Sequence, residues 1–101
     1  MKTFKDLTFI PHPNAEGGKA AFIDFDNGRT ISVVTGSSWF FTSDDKPYEV
    51  GFMNKDGELG CVYLDRDDMS VALVEDADHN DVVGYCNEED VTLIMEAIQK
   101  L

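Results

Sequence analysis

The stretch FIDFDNGRTISVV, residues 22–34, constrains the fold more than any other part of this chain. Aromatic and β-branched residues flank the pair Asn27-Gly28 on both sides. Such runs favour strands, and Asn-Gly suits the two-residue type I′ turn, which needs positive φ at both positions. That turn sets Asp26 opposite Arg29, Phe25 opposite Thr30 and Phe22 opposite Val33. The charge pair beside the turn adds modest support to this register.

Weaker signals of the same kind run along the rest of the chain. DLTFIPHPN reads as an extended lead-in, because Pro11 and Pro13 bias the residues before them away from helix. AEGG is a turn and SSWFFTSDDKP a loop. YEVGFMNKDGELGCVYL predicts a second hairpin turning at Asp56-Gly57, with Tyr48, Val50 and Phe52 on one face and Cys61 and Tyr63 across from them. MSVALVE is a fifth strand by its β-branched content. An acidic loop and a short apolar VVGYC lead into a helix.

The helix start is strongly marked. Asn87 is an N-cap, and Glu88, Glu89 and Asp90 place carboxylates at the positive end of the helix dipole. Cys86 and Val91 occupy hydrophobic-staple positions, and Val91, Ile94, Met95 and Ile98 recur at helical spacing. At 101 residues the chain has room for one core. The expected architecture is a single α+β domain over residues 1–101: an antiparallel β-meander of about five strands packed with one C-terminal α-helix.

Charge is the compositional anomaly. Twenty acidic residues stand against eight basic ones, for a net −12. Such a field repels nucleic acid and anionic lipid and attracts basic surfaces, so no direct nucleic-acid or membrane partner is expected. An apolar fraction of 43% argues against global disorder despite that charge. MKTFKDLTFIPHPN has no long apolar core, so no signal peptide is expected. Cys61 and Cys86 lack C-x-x-C spacing and read as reduced packing residues, which fits a cytoplasmic protein.

Motifs for chemistry are sparse. Asp76, Asp78 and Asn80 fall on positions 1, 3 and 5 of an EF-hand-like loop, but position 6 is Asp81 instead of Gly and position 12 is Asn87 instead of Glu. His79 has no second nitrogen or sulfur ligand at diagnostic spacing, and His12, between two prolines, reads as structural. There is no nucleophile elbow and no phosphate-binding glycine loop. Carboxylates near Cys86 oppose a reactive thiolate at the helix start. Neither catalytic residues, a metal nor a cofactor is assigned from these patterns.

Two stretches stand out as partner-binding candidates. Segment 65–90 holds ten acidic residues against one basic residue, Arg66. This is either a solvated face or a surface that imitates a phosphate array and fills a basic groove. Trp39, Phe40 and Phe41 are consecutive, so a strand could not bury all three. They form either an apolar cover over a sheet edge or a contact anchor for a partner.

The order DLTFIPHP, FDNGRTISVV, YEVGFMNKDGELG and DVVGYCNEEDVTLIMEAIQKL resembles small uncharacterised acidic proteins encoded by tailed bacteriophages and prophages. SSWFFTSDDKP and DRDDMSVALVEDADHN depart from that pattern. The resemblance implies a phage-type accessory protein in the host cytoplasm. Combined with the charge, it leads to the expectation of a non-enzymatic protein that binds a basic host protein, such as a nucleic-acid-binding or defence factor. Asp65, Asp67, Asp68, Asp76, Asp78, Asp81, Glu88 and Glu89 are the expected contacts, with Trp39 as apolar anchor. The alternatives are a self-associating assembly protein and a small divalent-cation-binding module.

Overall fold

The computed structural model describes residues 1–101. A 3-10 turn (Phe4–Asp6) precedes seven strands and one helix: β1 (Ile10–Pro11), β2 (Lys19–Asp24), β3 (Thr30–Thr35), β4 (Tyr48–Met53), β5 (Cys61–Asp65), β6 (Ser70–Val74), β7 (Val83–Cys86) and α1 (Glu88–Gln99). Five strands form one sheet in the order β1-β2-β3-β4-β7, and β5 and β6 pair separately. Every pairing between these strands is antiparallel. The class is the expected α+β, but the membership of the five-stranded sheet is not. MSVALVE supplies β6 of the small sheet, and VVGYC supplies the fifth strand of the large one.

The Asn27-Gly28 hairpin forms, one residue out of the expected register. Phe25 and Arg29 close a three-residue loop, with the Phe25 N–H donating to the Arg29 carbonyl at 2.7 Å and the Gly28 N–H to the Phe25 carbonyl at 2.9 Å. Gly28 has φ 86°, whereas Asn27 is not left-handed. This is the turn-plus-bulge solution, which needs only one positive φ. Asn27 serves instead through its side chain, whose Oδ1 accepts the Arg29 N–H and whose Nδ2 donates to the Ile98 carbonyl. Phe22 therefore faces Ser32, and Ala21 faces Val33. A one-residue slip exchanges the two faces of a strand, so Phe22 points away from the core and is exposed.

The second hairpin repeats that loop between Asn54 and Glu58, with Gly57 at φ 78°. Its arms then separate. After the Met53–Leu59 bridge and a Gly60 N–H bond to Phe52, the chain leaves β4 and pairs with β6 instead. Cys61 and Tyr63 thus lie across from Val74 and Ala72, not from Tyr48, Val50 or Phe52. β7 takes the remaining edge of β4, with a bulge between the Tyr48–Cys86 and Val50–Val83 pairs.

Helix α1 starts as its sequence requires. Asn87 Oδ1 accepts the Asp90 N–H at 2.8 Å, and Asp90 Oδ2 accepts the Asn87 N–H at 3.1 Å, a reciprocal cap. Val91, Ile94, Met95 and Ile98 are fully buried with Ile31, Val33, Val50 and Phe52 of the sheet, Val62 of β5 and the staple residue Cys86. Each such side chain contributes about 1.5–3 kcal/mol by leaving water. The lead-in also docks on the core, through Phe4, Phe9 and Tyr48 with ring centroids 5.0–6.1 Å apart. Gln99 holds it by exchanging hydrogen bonds with the backbone of Lys2. His12 is structural, its Nδ1 accepting the N–H groups of Asn14 and Ala15.

Candidate functional site

All eight acidic candidates are exposed, and they fall into two groups. Asp65, Asp67 and Asp68 lie at the β5–β6 turn, and Glu88 and Glu89 open α1. Arg66 joins these two stretches, donating to the Gly84 and Tyr85 carbonyls at 2.9 and 3.0 Å and to Asp90 Oδ2 at 3.2 Å. Asp76, Asp78 and Asp81 belong to the loop at the other end of the hairpin. Four residue steps along β5 separate the two ends by about 13 Å. The two remaining acids of the segment are internal partners. Asp90 is buried under Arg66, and Glu75 makes a two-pronged ion pair with Arg29 at 2.8 and 3.1 Å. The Arg29 guanidinium holds the Glu75 carboxyl below its ordinary pKa.

The aromatic loop between β3 and β4 sits against Gly84 and Tyr85, the two residues whose carbonyls Arg66 binds. Phe41 is clamped by its backbone, which donates its N–H to Glu49 Oε2 at 2.7 Å and accepts the Tyr85 N–H at 2.8 Å. Gly84 makes this approach possible, because a Cβ there would clash with the Cβ and carbonyl oxygen of Phe41. Gly84 and Tyr85 form the bulge of β7, and Tyr85 is left-handed at φ 55°. A bulky residue in that region carries strain, and bulges re-aim side chains next to functional sites. Phe40 packs on His12, with ring centroids 5.4 Å apart. Trp39, Phe41 and Tyr85 remain 73%, 60% and 49% exposed. The loop therefore covers the edge of β7 with its backbone while presenting Trp39 and Phe41 to solvent.

Asp76 and Asp78 of the EF-hand-like pattern are not among the clustered ligand atoms. The one group of three His, Cys or acidic side chains with ligand atoms mutually within 4.8 Å is Cys61, His79 and Asp81. Cys61 Sγ–H donates to the His79 carbonyl at 3.5 Å. His79 Nδ1 lies 2.8 Å from Asp78 Oδ1, and Nε2 lies 3.4 Å from Asp81 Oδ2. The Tyr63 hydroxyl donates to Asp81 Oδ2 at 2.8 Å. Hydrogen bonding with Cys61 and then with Asp81 raises the pKa of the phenol. Sequence spacing missed this group because Cys61 is 18 residues from His79. What joins them is the parallel bridge of Cys61 to Asp81, with the Val62 N–H on the Asp81 carbonyl.

Both cysteines are buried free thiols, as their spacing suggested. Burial, and then the Asp90 carboxylate, push the Cys86 thiol up to about 11, which keeps it protonated. No helix is long and apolar enough to cross a membrane. Comparison with protein-family models, curated proteins and solved structures finds no match.

Proposed function

We propose that the protein works without catalysis, by binding another protein through the face that combines Trp39, Phe41 and Tyr85 with Asp65, Asp67, Asp68, Glu88 and Glu89. The observation that carries this reading is the clamped Phe41 peptide. Glu49 and the bulged Tyr85 hold the loop backbone, so its exposed aromatics are presented with little conformational freedom left to lose. Rigid aromatic anchors inside a charged surround are what protein interfaces use to gain affinity and selectivity. Asp67, Glu88 and Glu89 make no side-chain hydrogen bonds and stay free for a basic partner.

In its sharpest form the partner is the basic groove of a nucleic-acid-binding or defence protein in a phage host. The net −12 charge and the resemblance to phage-encoded proteins support that form. The captured partner should then release duplex nucleic acid when this protein is added, and the complex should weaken steeply as salt rises. A complex that forms equally well in high salt and beside saturating nucleic acid contradicts it.

A second reading, self-assembly, is favoured by the outer sheet face, where Ile10, Phe22 and Val82 are exposed. Pairing through sheet edges has little support. β1 is two residues long and ends on Pro11, and Arg66 and Phe41 occupy backbone groups of β7. Sedimentation of the protein alone distinguishes the two readings: self-assembly requires a concentration-dependent oligomer.

A further inference from the structure

We propose that Cys61, His79 and Asp81 form a binding site for a thiophilic divalent metal ion, of which Zn²⁺ is the type. The site is independent of the partner-binding reading, since none of its residues belongs to the proposed face and it lies at the opposite end of β5 from Asp65.

Spacing is the first support. Zinc binds sulfur at about 2.3 Å and nitrogen or oxygen at about 2.0–2.1 Å, so tetrahedral ligand atoms sit roughly 3.3–3.6 Å apart. The 3.4 Å between His79 Nε2 and Asp81 Oδ2 already has that value. No pair in the trio exceeds 4.8 Å, so about an ångström of side-chain movement closes the rest. The backbone is already in place, because the Val62 N–H on the Asp81 carbonyl holds the loop beside the first residue of β5.

Orientation is the second support. A ligating imidazole commonly gives its other ring nitrogen to a carboxylate, which fixes the tautomer and aims the metal-binding nitrogen. His79 is held in this way, Nδ1 on Asp78 and Nε2 toward Asp81. Tyr63 plays the same part for Asp81, holding Oδ2 by a hydrogen bond. A packing role accounts for a buried Cys61. It gives no reason for a His and an Asp, each steadied by a further side chain, to converge on that sulfur.

The donor set selects the ion. A thiolate and an imidazole favour zinc and its neighbours over Ca²⁺ or Mg²⁺, which take oxygen ligands. Three protein ligands leave a fourth position, and the exposure of His79 and Asp81 opens it to water or to a donor from another molecule. The surrounding acidic field raises the local cation concentration.

The test uses the full chain, freed of metal with a chelator, then titrated with Zn²⁺ by calorimetry and with Co²⁺ by absorbance. Binding of one ion per chain is expected, with a thiolate-to-cobalt charge-transfer band. Cys61→Ser should abolish the band, and His79→Ala should weaken Zn²⁺ binding at least tenfold. Tyr63→Phe should weaken it by about tenfold, as a lost supporting hydrogen bond does. Because Cys61 is buried, circular dichroism must show a folded Cys61→Ser; His79 is exposed, so its variant decides the matter if that chain does not fold. Zinc binding unaltered by His79→Ala, cobalt binding without a thiolate band, or Ca²⁺ displacing Zn²⁺ at equal concentration would each mean diffuse carboxylate binding and overturn the proposal.

Discussion

The side-chain amide of Asn27 donates to the carbonyl of Ile98 at 2.8 Å, joining the first hairpin turn to the last turn of the helix across 71 residues of sequence. Helix C-termini leave carbonyls short of partners; that of Ile98 also accepts the Leu101 N–H at 3.2 Å, and the Asn27 amide fills its second acceptor position. Asn27→Asp keeps the acceptor that holds the Arg29 N–H, removes the donor and adds a negative charge at the negative end of the helix dipole. The expected cost is about 1–2 kcal/mol, measured by urea denaturation. Asn27→Gly should also destabilise. A type I′ turn would accept glycine readily, so a gain in stability would contradict the three-residue loop.

Gly84→Ala should free the aromatic loop and leave the core folded. The added methyl meets the Phe41 Cβ and carbonyl oxygen, so the loop must move away from β7. Trp39 is the only tryptophan, so its fluorescence anisotropy reports this directly. Lower anisotropy with an unchanged far-ultraviolet spectrum is the expected outcome; unchanged anisotropy means that Gly84 does not seat the loop.

The Arg29–Glu75 pair should make stability depend on pH in a defined direction. The folded state lowers the Glu75 pKa, so the contribution is complete above the ordinary carboxylate value and is lost as pH falls through the depressed folded value. Glu75→Gln should therefore be less stable than the parent at neutral pH, and the gap should close below the usual carboxylate range. Urea midpoints measured across that range check it, and a gap independent of pH would remove the ion pair as its cause.

Cys86 should be inert to thiol reagents until the protein unfolds. Its side chain is buried in the core, and burial and Asp90 raise its pKa to about 11. In a Cys61→Ser background, modification by a disulfide reagent at neutral pH should follow the rate of global opening. Rapid labelling of the native protein would show that the helix start is not packed as described.

Local signals along the chain disclosed its elements better than its pairings. The helix was readable to its cap because Asn87, the acidic first turn and the apolar spacing act within a few residues. The register of the first hairpin was not, because Asn-Gly suits two turns, and the one that forms is tied to the distant Ile98 carbonyl. The departure of β5 was hidden for a similar reason. Asp56-Gly57 specifies a reversal, while the choice of β6 over β4 as partner depends on where β7 comes to rest. VVGYC gave little sign of being a strand, since it is short and holds a glycine whose role appears only beside Phe41. The acidic candidates were visible as composition, yet their division into two groups and the neutralisation of Glu75 and Asp90 depend on Arg29 and Arg66 arriving from elsewhere. Cys61 and His79 meet only through a bridge between segments that show no common pattern.

The central claim is that the aromatic–acidic face, and not net charge alone, binds the partner. The direct measurement is quantitative capture from cell lysate at low and moderate salt, comparing four proteins. These are the parent, Trp39→Ser, the face triple Asp67→Asn/Glu88→Gln/Glu89→Gln, and the control triple Glu16→Gln/Asp26→Asn/Asp56→Asn. Both triples remove the same charge. The account predicts that Trp39→Ser and the face triple lose the same captured protein while the control triple retains it. Equal loss in both triples, or retention by Trp39→Ser, would contradict it.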